Sequence, residues 1–274
     1  MFLNKSLFLV FTAFVLCESG FDFMFLFIND EFSFSVEQLP KCKLNDDNCK
    51  KGLIQTVLKI LAKTGLPEKG IPKLDPLSVS NESFKIADVI DLTLVDGVVK
   101  GIKDCTVNRF TASIEDERAT IELTCDVTIK GRYKVFSDSP LVKTFSGGDT
   151  VKGEGNGKVK IEKMFLRFDF DYFFQDRDGE IYVKCKNDKL KYQYDIKGKM
   201  LFFADNLFVG GKESSKVVMD AMNQNWKFLM SSFGKPFMDH AMDFVIKSIH
   251  TFFDSVPAKY MFADDLTEHA RKSD

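Results

Sequence analysis

Few side chains in this 274-residue chain could carry covalent chemistry. Of the three histidines, His240 and His250 fall in a late apolar-periodic stretch and His269 in a charged terminal segment. The sequence has no His-Glu-x-x-His, no Gly-x-Ser-x-Gly and no cysteine beside an obvious base. The usual signatures of zinc hydrolysis and nucleophilic catalysis are therefore missing. Asp169, Asp171, Asp176 and Asp178 cluster without calcium-loop spacing, and Asp alternating along a strand reads as a solvated face. Gly147, Gly148, Gly153, Gly155 and Gly157 form a glycine-rich run. A phosphate loop needs Lys followed by Ser or Thr and then a helix, whereas Lys158 leads into Val159 and a strand pattern. Glycine at the bends of a strongly curved sheet accounts for the run better. The reading is a protein that is not an enzyme and takes no metal and no cofactor.

The remaining reactive groups are cysteines, and their meaning depends on compartment. Lys5 followed by the apolar run 6–16, with Cys17 and Ser19 small enough for cleavage before Gly20, reads as a signal peptide over 1–19. The run is too short to span a membrane, which takes ~20 apolar residues. A second apolar, strongly aromatic patch over 21–34 belongs to an N-terminal extension, 20–41. A secreted, extracellular chain makes its cysteines candidates for disulfides. Cys17 leaves with the leader, so Cys42, Cys49, Cys105, Cys125 and Cys185 remain, an odd number that leaves at least one thiol free or intermolecular. No CxxC pair occurs and no histidine lies near Cys42 or Cys49 in the sequence, which disfavours zinc. Asn81-Glu82-Ser83 is a glycosylation sequon at Asn81, consistent with secretion.

The elements that would position these groups come in two kinds. From about residue 83 to 208 the pattern is strands. Ile121, Leu123, Cys125, Val127 and Ile129 alternate with polar residues, and so do Phe110, Ala112 and Ile114 before a polar connection at 115–117. Cys105 and Cys125 are symmetric about Glu115, as partners across a hairpin must be. The apolar phase shifts between Val107 and Phe110, which marks a bulge near Asn108 that could spoil that pairing. Phe168, Phe170 and Tyr172 alternate likewise. Asp178-Gly179 is a hairpin turn, Ile181, Val183 and Cys185 resume the phase, and Leu190, Tyr192, Tyr194 and Ile196 form a further run. From about residue 214 the period becomes helical and continues, past a break or kink at Gly234 and Pro236, to Val256-Pro257. That makes a nearly continuous helix of about forty residues, or ~60 Å at ~1.5 Å per residue. The charged segment from 266 reads as a frayed end, within a polar tail over 263–274. A net charge of −2 gives no reason to expect a nucleic-acid partner or an anionic-membrane anchor. The 29 Phe beside one Trp and six Tyr mean a very Phe-rich core, or an apolar lining for something else.

One stretch ties these parts together. Cys42-Lys43-Leu44-Asn45-Asp46-Asp47-Asn48-Cys49 can close a small loop ahead of a helix that has Leu53, Ile54, Val57, Leu58, Ile60 and Leu61 on one face. Asn45, Asp46 or Asp47 can cap that helix, and Gly65 stands where a C′ glycine belongs. Gly65-Leu66-Pro67-Glu68-Lys69-Gly70-Ile71-Pro72-Lys73-Leu74-Asp75-Pro76-Leu77 follows, extended at its three prolines. The arrangement resembles the amino-terminal signature of the insect takeout and haemolymph juvenile hormone binding protein family. Asn225-Trp226, Pro236 and the closing Val256-Pro257…Tyr260-Met261-Phe262 resemble that family's carboxyl-terminal helix, so the likeness covers 42–262.

The resemblance implies an α+β fold in which a highly curved antiparallel sheet wraps one long C-terminal helix, a TULIP-like super-roll around an elongated apolar tunnel. It implies a Cys42–Cys49 disulfide. It also implies a secreted, monomeric carrier of a small lipophilic ligand: a juvenile-hormone-like terpenoid, an isoprenoid or a fatty-acyl chain. The alternative is a membrane-surface lipid-transfer or ligand-presenting protein with transient membrane contact. Trp226, Met230, Phe233, Phe237, Phe244 and Phe252 from the helix and Leu123, Val127, Phe168, Phe170 and Tyr194 from the sheet are the expected lining, with the Tyr194 hydroxyl as polar anchor. Some relatives bridge a strand cysteine to the late helix. No cysteine occurs in 214–253 to receive Cys185, which is left free or competing for Cys105 or Cys125.

Overall fold

The computed structural model describes residues 36–145, 149–186 and 191–272. The expected leader, the aromatic stretch 21–34, Gly147, Gly148 and Leu190 lie outside these residues. The first helix, α1 (Asp47–Lys63), begins where an Asp46 carboxylate oxygen accepts the Cys49 N–H at 2.9 Å and ends before Gly65 at φ +69°. Leu53, Val57 and Leu61 are buried, and Ile54, Leu58 and Ile60 pack half-buried on the same core. Cys42 and Cys49 form a disulfide with Cα atoms 5.5 Å apart, closing the loop ahead of the helix. Within that loop, the buried Lys50 donates to the Leu44 carbonyl at 2.5 Å and pairs with Asp47 at 2.8 Å.

The proline-rich segment is a strap. Its Leu74 and Asp75 N–H groups reach back to the Leu61 and Ala62 carbonyls in the last turn of the helix, at 3.2 and 2.9 Å. Asp75 is 5% exposed, and its carboxylate accepts the N–H groups of Gly101 and Lys103 at 2.9 and 3.0 Å. One buried residue thus joins the end of α1, through its backbone N–H, to the turn ahead of the third strand, through its carboxylate.

The strands form one sheet of eleven among the described residues. They are β1 (Leu77–Ile86), β2 (Ile90–Lys100), β3 (Thr106–Ser113) and β4 (Arg118–Ser137). A short helix α2 (Pro140–Phe145) follows, then β5 (Val151–Arg177), β6 (Glu180–Cys185), β7 (Lys191–Ile196), β8 (Met200–Ala204), β9 (Leu207–Val209) and β10 (Lys212–Glu213). β5 is the spine. Over its 27 residues it pairs β4 along one edge and, in turn, β9, β8 and β7 along the other, before folding into the β5–β6 hairpin. Asp178 at φ +54° and Gly179 at φ +85° make the tight turn expected there. The β3–β4 hairpin shifts register between Val107 and Arg109, the bulge that the phase change announced. The Cys105–Cys125 disulfide survives it, with Cα atoms 4.3 Å apart. Cys185 stays free and buried opposite Tyr172, and burial pushes its thiol up to about 12.

Glycines line up across three adjacent strands. Gly97, Gly131 and Gly157 are cross-strand neighbours on β2, β4 and β5. A Cβ on Gly131 would come within 2.0 Å of the Asp96 carbonyl oxygen and 2.6 Å of the Gly97 Cα, so no other residue fits. Tyr133 lies across the β5 glycines, with its hydroxyl donating to the Asp205 carbonyl at 2.7 Å. Burial pushes its phenol up to about 12.

Two expectations need correction. The late helix is not nearly continuous but three helices: α3 (Ser215–Gln224), α4 (Trp226–Phe233) and α5 (Lys235–Ser255). The break at Gly234 and Pro236 was legible. The break at Asn225, whose φ of −111° leaves the helical range, was not. The C-terminal segment is not frayed. Leu266 is 4% exposed, and β11 (Ala270–Lys272) pairs in parallel with Phe174, Gln175 and Asp176 of β5. An ion pair from Arg271 to Glu117 holds it down.

Replacing Asp75 by Ala leaves two part-buried N–H groups without their acceptor, a loss of about 2 kcal/mol. Urea unfolding of Asp75→Ala against wild type measures it. An unchanged midpoint would contradict the strap.

Candidate functional site

Alternation along β5 sends one continuous row of side chains to the inside. Met164, Leu166, Phe168, Phe170, Tyr172 and Phe174 are all buried. The ladders carry the row sideways. Ile121 and Leu123 on β4 stand opposite Phe168 and Leu166, and Tyr192 and Tyr194 on β7 stand opposite the same two residues. Met238, Met242 and Phe252 on α5 and Val256 beyond it are buried in the same core. The wall is apolar on both sides, with few polar groups. Tyr194 donates its hydroxyl to the Met230 carbonyl at 3.3 Å, in the space that the missing Gly234 side chain leaves open. Tyr192 donates to Asp239 at 2.6 Å. Burial pushes both phenols up. The His250 Nε2 on α5 is buried and has no hydrogen-bond partner.

Among the expected lining residues, Val127, Phe168, Phe170 and Phe252 are buried in this core, and Leu123, Tyr194, Trp226, Met230 and Phe244 pack against it half-buried. The two others point to different neighbours. Phe237 packs at a tilt against Phe84 of β1 with ring centres 4.6 Å apart, and Phe233 meets Phe228 edge-on at 6.2 Å. Met238 and Met242, outside the expected set, are buried in the same core, and with Val245, Ile249, Phe252 and Val256 they keep one helical face.

The far end of α5 is fixed by charge. Asp254 pairs with Arg177 of β5 at 2.8 Å and with Lys184 of β6 at 3.0 Å. Burial raises the Asp254 carboxyl, but the hydrogen bonds from Arg177 and Lys184 outweigh it and hold the group below the usual carboxylate range. Beyond the helix, Cys42 exchanges backbone hydrogen bonds with Met261 and Ala263 at 2.9 and 3.0 Å. The Leu44 N–H donates to Asp264 at 2.7 Å.

The sequence pattern of the haemolymph juvenile hormone binding protein (JHBP) family matches residues 23–263. The chain belongs to this family. The JHBP family is one of binding proteins rather than enzymes. The fold is similar to the crystal structure of Takeout 1 from Epiphyas postvittana, with a TM-score of 0.71 and 27% identity over 82% of this chain and 99% of that one. A crystal structure of lipopolysaccharide binding protein aligns over 74% of this chain and 38% of that one, with 12% identity and a TM-score of 0.34. No curated protein matches the chain. In this JHBP-family chain, as the likeness to Takeout 1 implied, a large curved antiparallel sheet packs with C-terminal helices.

The Asp254 tie sets a pH dependence. A carboxyl held below its ordinary value of 3.8 stabilises the fold fully above that value, and the contribution fades as pH falls through the lower folded value. Wild type is expected to melt about 2–4 °C above Asp254→Ala at neutral pH. The gap should narrow below pH 3.8. A gap that stays constant through that range would exclude the tie.

Proposed function

We propose that this protein is a secreted carrier of one small lipophilic ligand, held between the inner faces of β4, β5 and β7 and helices α4 and α5. The observation that carries the reading is the unbroken apolar row of β5 facing an apolar helix stripe, in a chain of the JHBP family. Ligand sites of this kind are mostly apolar with a few placed polar groups. The ligand class is a juvenile-hormone-like terpenoid, an isoprenoid or a fatty-acyl chain, in keeping with the binding activity in the family's name. The proposed contacts are Leu123, Val127, Phe168, Phe170, Tyr194, Trp226, Met230, Phe244 and Phe252, with Phe233 and Phe237 nearer the rim.

The polar end of the ligand is proposed to meet His250. A buried imidazole nitrogen without a partner is costly, and a ligand oxygen would relieve it. The Tyr194 hydroxyl already donates to the Met230 carbonyl, which leaves only its acceptor capacity for a ligand. The two disulfides and the exposed sequon at Asn81 are the features that support secretion.

Delipidated protein titrated with a fluorescent fatty-acyl or terpenoid probe tests the carrier reading. Wild type should bind, and Phe244→Asp, checked for folding by circular dichroism, should bind at least about tenfold more weakly, because a carboxylate must be desolvated to enter the site. No binding by wild type sinks the reading, and equal binding by a folded Phe244→Asp sinks the placement. His250→Leu should lose affinity for a fatty acid or alcohol and keep it for the matching hydrocarbon. Equal losses for both would remove His250 from the polar end.

A further inference from the structure

Every outward row of the β4–β5 ladder that carries charge on both strands sets opposite charges face to face, with one exception. Arg118 stands opposite Asp171, Glu122 opposite Arg167, and Lys134 opposite Glu154, which its ammonium meets at 3.0 Å. Lys130, however, stands opposite Lys158. Like charges directly opposed across strands destabilise a sheet, so this row costs stability where its neighbours supply it.

The surroundings do not relieve the repulsion. The same row continues to Phe203 on β8, and the Lys158 ammonium lies 5.1 Å from that ring. The two carboxylates that line a groove with the two lysines are already committed. Asp96 is ion-paired with Arg132, and Asp205 accepts the backbone and side-chain N–H groups of Asn156 at 2.7 and 3.1 Å. Among the described residues, no carboxylate pairs with Lys130 or Lys158. The residues enclose an open groove of about 650 Å³ whose floor is the backbone of Gly131 and Gly157. A second groove of about 500 Å³ adjoins it across Phe203, Ala204 and Asp205. Phe203 is 49% exposed at the boundary of the two.

We propose that this outer-face groove docks the protein on a phospholipid surface with anionic headgroups. Headgroup phosphates sit between the Lys130 and Lys158 ammoniums and relieve their repulsion, and the Phe203 ring enters the interfacial layer beside them. Charge complementarity selects the anion. The exposed ring next to the lysines selects a lipid surface over a free anion, which has no use for it. The site lies on the opposite face of the sheet from the apolar interior and does not depend on the carrier reading. The chain's net charge of −2 hides it, because the two lysines are local.

The test is cosedimentation of the full chain with vesicles of phosphatidylcholine alone and of phosphatidylcholine doped with phosphatidylglycerol, at low and high salt. Wild type should favour the doped vesicles and weaken at high salt. Each lysine near an anionic surface contributes about fivefold, so Lys130→Gln with Lys158→Gln should weaken binding about 25-fold. Phe203→Ser should weaken it several-fold without changing its salt dependence. The control is Lys59→Gln with Lys63→Gln on α1, the same change of charge elsewhere, which should stay within about twofold of wild type. Lys130→Glu alone gives a second readout. It turns the row into an opposite-charge pair like Lys134–Glu154, so it should raise the melting temperature by about 1–3 °C while it weakens vesicle binding. Three results overturn the proposal: no preference for doped vesicles, an equal loss in the α1 control, or inorganic phosphate shifting the Lys158 and Phe203 resonances while vesicles go unbound. The last would make the groove a small-anion site.

Discussion

A strand of 27 residues paired on both edges cannot stay flat, and the twist it must take on shapes the rest of the molecule. As β5 coils, its inner row from Met164 to Phe174 sweeps along the concave side of the sheet, and only an elongated apolar element can follow it. Helices α4 and α5 supply it, through Trp226, Met230, Met238, Met242 and Phe252. The glycine row from Gly97 to Gly157 belongs to the same sheet, and at Gly97 and Gly131 a Cβ would collide with the neighbouring backbone.

Helix side chains also finish the edges of the sheet. The Gln55 amide on α1 donates to the Cys105 carbonyl at 3.0 Å and accepts the Val107 N–H at 2.8 Å, standing in for a missing strand beside β3. Asn223 on α3 does the same for Phe202 of β8, at 3.0 and 2.7 Å. Exposed edges invite pairing with other chains, and two amides from helices remove two such openings.

What could be read from the sequence was local or symmetric. Asp178-Gly179 named its turn, Cys105 and Cys125 named each other through the hairpin, and the phase slip near Asn108 named a bulge, because each signal lies within one hairpin. The helix face of α1 and the strand faces of β4 and β5 followed from period alone. The roles that stayed hidden depend on which distant segments meet. Asp75 is one acid among many until Gly101 and Lys103 are seen to converge on it. Leu266 and Arg271 look like a polar end until β5 offers them an edge and Glu117 a charge. In the candidate site, period supplied the apolar faces, whereas the Tyr194 bond to Met230 arises only when helix and sheet are brought together.

The clasp between Cys42 and the segment after α5 bears on how the chain folds. The Cys42–Cys49 link spans a short loop and can close early. The hydrogen bonds from Cys42 to Met261 and Ala263 and from Leu44 to Asp264 close a loop of nearly the whole described fold. Contacts of such high sequence separation are entropically the last to be favourable. A chain emerging N-terminal end first during synthesis must therefore hold its disulfide-closed loop undocked until residues near 264 are available. Cys42, 1% exposed once docked, is a marker of completed folding, and amide exchange at this residue would report it.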